Sequence, residues 1–310
     1  MEPIKRILGS RILVWAILLF LAIFPFLGFS PRWLHIGNTV FYYVMLSASW
    51  NLMMGFTGLF SFGHTALSAV GGYASALLVT HLGVPPIAGP FLGGLVAAFF
   101  SFVLGMICLR LRGFYLALVT WAFAEIVIGV VKVQYDLTGG TQGLRTVGLF
   151  WQGAGRIHYY YLGLILVFLI TLSIHKLSKS DYGSYLRSIR EDEMAAEVLG
   201  VNTVVWKILC FTYAGFWAGL AGAYYGHYIG VVDPSLGSLG EMSIVVLTVV
   251  VGGMGTVFGP VIGSFLVIVA GDLFRGKLAA LSMVFFSLLM MLVVRFFRGG
   301  LMQFLGPSRK

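Results

Sequence analysis

The stretch "GFWAGLAGAYYG", Gly215 to Gly226, lies inside an apolar run that extends from about residue 204 to residue 228. A helix needs roughly twenty apolar residues to cross about 30 Å of hydrocarbon, and this run has that length. Within it Gly215, Gly219, Gly222 and Gly226 recur at intervals of four, three and four, which puts them along one helix face where a neighbouring helix can approach closely. Similar runs recur along the chain. They give expected spans near 12–29, 38–57, 63–80, 87–109, 113–133, 159–176, 204–228, 239–253, 257–275 and 279–296, the eighth short and open to a re-entrant reading. The expected fold class is all-α: a polytopic membrane protein of about ten transmembrane helices, some broken by glycine or re-entrant. The loops between spans leave almost nothing for a soluble domain, so residues 1–310 form one membrane domain.

Composition supports that class. The chain is 59% hydrophobic and 10% charged, and a soluble protein this apolar could not cover its surface with polar groups. The first run follows Lys5, Arg6 and Arg11. It is long for a signal-peptide core and lacks a small-x-small cleavage site, so it reads as a retained span. Cys108 and Cys210 fall in expected spans and read as small apolar fillers; no metal site is expected. The net charge of +9 is mainly topology. If the spans alternate from a cytoplasmic N-terminus, fourteen of the twenty Lys and Arg lie on the cytoplasmic side, with both termini there. A basic balance arranged this way points to the membrane and its lipid, not to nucleic acid.

Glycines also interrupt spans. Gly55, Gly58 and Gly63 fall close together, as do Gly252, Gly253, Gly255 and Gly259 before Pro260. Unwound backbone at membrane depth survives only where protein or a water-filled cavity satisfies it, and paired broken segments point toward a substrate path. Gly255, Gly259 and Gly263, at intervals of four, read as a second packing stripe. Both stripes fit either static packing or seams that slide during a transport cycle.

Few polar groups stand in the spans. Ser61, His64, Thr65 and Ser68 share one helix face, as interhelical glue or as part of a path for a polar solute. Glu125, with Trp121 one turn before it, is an intramembrane acid and so a candidate path residue, or a structural hydrogen-bond acceptor. Glu241 and Asp272 read as interfacial, with Arg275 as the expected partner of Asp272. The outer loop 134–158 carries Thr138, Gly139, Gly140, Thr141 and Gln142, a docking or gating segment or a solvated loop. No phosphate-loop, HExxH or GxSxG signature appears, so this chain is not expected to act as an enzyme.

One segment breaks the apolar pattern. "SIREDEMAAEVLG", Ser188 to Gly200, lies in the expected cytoplasmic loop 177–203. Asp181 suits a helix start, Arg187 and Glu191 stand at i,i+4, and Arg190 and Glu193 at i,i+3. Ala195 and Ala196 leave a small flat face, and Gly200 suits a helix stop. The product is a short charged helix outside the membrane, either a solvated connector or a docking surface.

"REDEMAAEVLGVN", then Lys207 to Phe211 and "AGLAGAYYGHYIGVVDP", closely resembles the permease subunits of branched-chain amino acid ABC importers, of the LivM type. "GFTGLFSFGHTALSAVGGYASALL", "GFYLALVTWAFAEI…LTGGTQGL" and "VVVGGMGTVFGPVIGSF" resemble further blocks of that family in the same order. The resemblance implies a subunit of a prokaryotic cytoplasmic (inner) membrane that pairs with a LivH-type permease. It implies two cytoplasmic ATPase subunits holding ATP and Mg, an external substrate-binding protein, and no cofactor on this chain. "EMAAEVLG" resembles the E-A-A-x-x-x-G coupling signature, with Met194 as a departure. On that resemblance Arg187, Arg190, Glu191, Glu193, Ala195, Ala196 and Gly200 are the ATPase-coupling residues. The rival class is an ion-coupled secondary transporter with Glu125 carrying the proton.

Overall fold

A computed structural model describes residues 21–26, 30–108, 111, 113–150, 155–275, 291 and 300–302. Of the expected span 12–29 only residues 21–26 are described, and they are helical; the expected span 279–296 lies outside the described residues but for Met291, and both termini lie outside them. The other eight expected spans each correspond to a helix. These are α1 (Pro31–Asn51), α2 (His64–Leu82), α3 (Gly89–Cys108), α4 (Phe114–Val133), then, after a short α5 (Tyr135–Thr138), α6 (Arg156–Lys179). Two short polar helices follow, α7 (Asp181–Glu191) and α8 (Glu193–Val198), then α9 (Thr203–Ile229), α10 (Leu239–Gly252) and α11 (Gly259–Arg275). Among the described residues, five segments are long and apolar enough to cross a membrane: His64–Leu82, Pro86–Cys108, Phe114–Val133, Arg156–Lys179 and Thr203–Ile229. The chain is an all-α polytopic membrane protein, apart from one small departure. Leu144–Arg145 (β1) pairs antiparallel with Val231–Val232 (β2). Gly230, at φ +89, ends α9 and leaves two β-branched valines extended beside Leu144–Arg145.

The centre of the bundle is α9 against α3 and α2, which also pack on each other. Glycine makes this possible. A Cβ on Gly71 of α2 would lie 2.2 Å from the Cα of Gly219, one on Gly219 would lie 2.2 Å from the Cβ of Ala97 in α3, and one on Gly93 would lie 2.3 Å from the carbonyl oxygen of Gly71. Three helices thus meet at three glycines with no space for a methyl group. The α9 stripe is buried along its length, but its positions face different neighbours. Gly215 meets Ser101 of α3, Gly222 meets the Ser68 carbonyl of α2, and Gly226 meets Val232 of β2.

The second expected stripe is not one stripe. Gly255 lies in the loop between α10 and α11 at φ +75, and Gly259 is the first residue of α11. Gly259 meets Gly252 at the end of α10, and Gly263 packs one turn further on, 1.8 Å from its added Cβ to the Thr248 carbonyl oxygen of α10. Four-residue spacing implies a shared face only where the backbone stays helical, and here it does not. The 14 residues of α10 rise only about 21 Å, short of a full crossing. The chain enters α10 from a turn at Pro234–Gly237 set within the bundle, with Gly237 packed near Ala69 and Ile128. Asp272 has a long-range partner, while the side chain of Arg275, its expected one, lies outside the described residues. The Asp272 carboxylate accepts from Arg32 Nη2 at 2.7 Å and Nε at 3.0 Å, which fastens the start of α1 to the end of α11.

Overpacking a tight core costs about 1–3 kcal/mol. Gly219→Ala is therefore expected to lower the yield of monodisperse protein and its unfolding temperature. Gly129→Ala, on α4 with nothing near its added Cβ, is expected to leave both unchanged or slightly raised. Size-exclusion profiles and thermal unfolding in detergent check the pair.

Candidate functional site: the polar loop, the broken helices and the outer cleft

The polar segment folds as two helices, not one. Gly183 lets α7 turn tightly off α6, since a Cβ there would lie 2.4 Å from the Leu177 carbonyl oxygen. Leu186 and Ile189 bury one face of α7. Asp192 then becomes extended (φ −154°, ψ 109°), and its carboxylate accepts the Ala195 N–H at 3.0 Å, capping α8. Asp181 is the first helical residue of α7, and Ser180 occupies the cap position. The break at Asp192 separates Arg190 from Glu193. Arg190 donates through Nη1 to the Gly55 carbonyl, and Glu193 forms an ion pair with Lys207 of α9. Arg187 donates to the Ser178 carbonyl at 2.8 Å and to Ser184 Oγ, not to Glu191. Their side chains are 7% exposed for Lys207 and 18% for Glu193, so the pair fixes α8 to the bundle where a lone charge would be costly. Glu197 accepts from the Thr203 hydroxyl at 2.6 Å, a second tie between α8 and α9.

These ties orient the tip of α8. Ala195 faces out, whereas Ala196 is 1% exposed and packs inside the chain. Beside the exposed Glu197, three large apolar side chains point outward: Met194 at 68%, Val198 at 87% and Leu199 at 81% exposed. Sequence reasoning missed all three. Their signal was the one departure from the coupling signature, Met194, and an apolar pair just before a helix-stop glycine.

The two glycine-broken segments meet. After Asn51, α1 loosens into a π turn, Leu52–Phe56. Asn51 accepts the Gly255 N–H at 2.8 Å and donates to the Thr256 carbonyl at 2.9 Å, so one buried side chain satisfies the loop after α10. A Cβ on Gly55 would lie 2.5 Å from the Gly255 nitrogen. Arg190 reaches this junction from α7. Its guanidinium takes the Gly55 carbonyl, and its side chain lies beside Gly58 and Gly255.

The polar stripe of α2 and the turn before it is internal. Ser61, His64, Thr65 and Ser68 are all buried. Trp50 donates to the Ser61 carbonyl at 2.8 Å, Thr65 donates to the Gly237 carbonyl at 3.3 Å, and Ser68 lies 3.4 Å from the Tyr42 hydroxyl. Ser49 Oγ lies 2.8 Å from both the Met45 carbonyl oxygen and His64 Nε2, which ties α2 to α1. In this conformation the stripe joins α2 to α1 and to the 237–238 turn. Glu125 and Trp121 instead face outward from α4 and pair at 3.1 Å.

Glu125 also lines a cleft of about 440 Å³, with Lys132, Thr141, Asp233 and Ser235 among its walls. The segment from Thr138 to Gly143 is anchored beside it. Thr138 donates to the Val131 and Gln134 carbonyls at 2.6 Å, and Gly139, Gly140 and Gly143 take positive φ. Of the expected loop residues, Thr141 and Gln142 are exposed, while Thr138 and Gly140 are buried. Among the described residues no cluster of His, Cys, Asp or Glu could hold a metal ion.

The family described as "Branched-chain amino acid transport system / permease component" matches residues 33–294. The chain is similar to the high-affinity branched-chain amino acid transport system permease protein LivM of Salmonella typhimurium, at 29% identity over 97% of this chain and 77% of that one. The LivM protein of Escherichia coli is similar to the same extent. The corresponding LivH protein of Escherichia coli is 24% identical over 84% of this chain and 90% of its own. No solved structure matches the chain.

Gly200 sits at φ +87 with open space around it. A side chain there meets only backbone strain, about 1–2 kcal/mol for an ordinary L-residue and less for asparagine. Gly200→Val is expected to lower the unfolding temperature, and Gly200→Asn to lower it less, in thermal unfolding of the purified protein.

Proposed function

This chain belongs to the permease family of branched-chain amino acid transport systems, and from that membership we propose how its parts work in an ATP-driven importer. It is a transport subunit, not an enzyme. It pairs with a LivH-type permease to form the translocation path for a branched-chain or related amino acid. Two ATPase subunits, with their ATP and Mg, bind on the cytoplasmic side, and an external binding protein delivers the solute. The chain forms one domain of about ten spans in a prokaryotic inner membrane, with both termini cytoplasmic. The α7–α8 loop within 177–203 is cytoplasmic, and loop 134–158 is outside, where Thr138–Gln142 meets the binding protein.

The observation that carries the coupling role is the tip of α8. A short polar helix pinned by the Glu193–Lys207 pair exposes Met194, Val198 and Leu199 together. Apolar side chains held outward on a rigid charged support favour a protein partner over water. Arg190 then supplies the inward link. Movement of α7 pulls on the carbonyl of Gly55, where α1 is already unwound and where the α10–α11 loop is joined through Asn51. The α8 tip receives force, and Arg190 passes it to the two breaks. Trp121 and Glu125 line the path from α4.

Two variants separate these roles. Val198→Asp combined with Leu199→Asp is expected to remove the ATPase subunits from the purified complex by at least tenfold, while this chain inserts at normal levels. Arg190→Met is expected to keep the ATPases bound but to lose most of the stimulation of hydrolysis by loaded binding protein. Full co-purification in the first variant would refute the docking role of the tip. Normal stimulation in the second would refute the link.

A further inference from the structure

The cleft beside α4 has features that the family match does not assign. Its volume of about 440 Å³ falls in the roughly 300–1,000 Å³ range of small-molecule sites. Glu125, Ile128 and Lys132 line it from α4, at i, i+3 and i+7 on one helix face. Asp233, Ser235 and Leu239 line it from the segment that leaves β2, turns through Pro234–Gly237 and opens α10. One wall therefore belongs to a single helix, and the other to the turn that feeds the short helix α10.

The chemistry is mixed in a specific way. The cleft holds one cation and two acids, and no ion pair joins Lys132 to either acid among the described residues. Asp233 accepts the Ser235 N–H at 2.7 Å through one oxygen, which orients its carboxylate and leaves the other oxygen available. Ile128 and Leu239 supply apolar surface between the charges. An aliphatic amino acid presents a carboxylate, an ammonium and a branched hydrocarbon, and it loses hydration from both charges on leaving water. A cleft with a fixed acid, a flexible ammonium and an apolar floor offers a partner to each of the three parts.

We propose that this cleft is a transient binding site for a zwitterionic aliphatic amino acid. Lys132 takes its carboxylate, Asp233 and Glu125 share its ammonium, and Ile128 and Leu239 hold its side chain. The assignment rests on the importer reading above and names the place where the solute pauses after release from the binding protein. Because Pro234–Gly237 leads directly into α10, occupation of the cleft also touches the helix whose far end joins the Asn51 junction.

The test uses the complete transporter in proteoliposomes, with ATP inside and leucine-loaded binding protein outside. Lys132→Met and Asp233→Asn are compared with Lys132→Arg. Asparagine keeps the acceptor for the Ser235 N–H and removes only the charge, so the turn survives. Maximal uptake is expected to fall at least tenfold in Lys132→Met and in Asp233→Asn. The concentration of loaded binding protein that gives half-maximal uptake should stay within twofold of the unmodified complex, and Lys132→Arg should retain at least half of maximal uptake. Undiminished uptake in the two neutral variants, with uptake intact in the unmodified complex, would overturn the cleft alone. A rise in the half-maximal concentration without loss of maximal rate would overturn it too, by making Lys132 a docking contact. Absence of ATP-driven leucine uptake in the unmodified complex would overturn the importer reading and the site with it.

Discussion

The approach of α9 to α2 and α3 at Gly219, Gly71 and Gly93 governs the rest of the structure. An added Cβ at any of these three positions would lie 2.2–2.3 Å from a neighbouring atom, well inside contact distance. In lipid, helices gain little from hydrophobic exclusion of one another, so close backbone packing is a main source of association. The same contact sets the position of both ends of α9. At one end Lys207 holds the α7–α8 loop through Glu193. At the other, the Gly226 and Gly230 carbonyls accept from Thr146, and β2 pairs with β1, so the segment before α6 is held too.

That rigid centre contrasts with the α1 break. There the contacts are few, polar and specific: Asn51 to the Gly255 N–H and Thr256 carbonyl, and Arg190 to the Gly55 carbonyl. Backbone groups freed by unwinding are satisfied by side chains from distant parts of the chain. Such bonds can exchange partners at modest cost, whereas the three-glycine contact cannot shift without separating whole helices. The division suits a transport subunit, which needs a fixed frame and a small set of joints. The polar loop is tied to both parts, to the frame through Glu193 and to the joint through Arg190.

Much of the frame was legible in the sequence. Apolar runs of about twenty residues located most of the described long helices within a few residues, because length and hydropathy are local properties, although α1 begins at Pro31 and not near 38. The α9 stripe was legible for the same reason, since spacing of four and three fixes a face on any regular helix. The Gly255–Gly259–Gly263 stripe failed where regularity failed, at the turn after Gly252. The partners of Arg190, Glu193 and Asp272 were not legible. Local spacing offered Glu193 to Arg190, but Arg190 bonds the Gly55 carbonyl, 135 residues away, and the Asp272 carboxylate accepts from Arg32, 240 residues away. Asp192 decided the first case by leaving helical geometry, a choice that depends on the tertiary tie of Glu193 to Lys207. Ala196 was read as an outward contact because the motif was taken as one helix face; the break rotates it inward and turns Met194, Val198 and Leu199 outward.

The energy source separates the importer from the ion-coupled rival, and it can be measured directly. Vesicles holding this chain, its LivH-type partner, the ATPase subunits and external loaded binding protein are loaded with ATP or with a non-hydrolysable analogue, and leucine uptake is followed with and without a proton ionophore. The account predicts uptake that requires hydrolysable ATP and is unaffected by the ionophore. Uptake that proceeds with the analogue and is abolished by the ionophore would contradict it and would return Glu125 to the role of proton carrier.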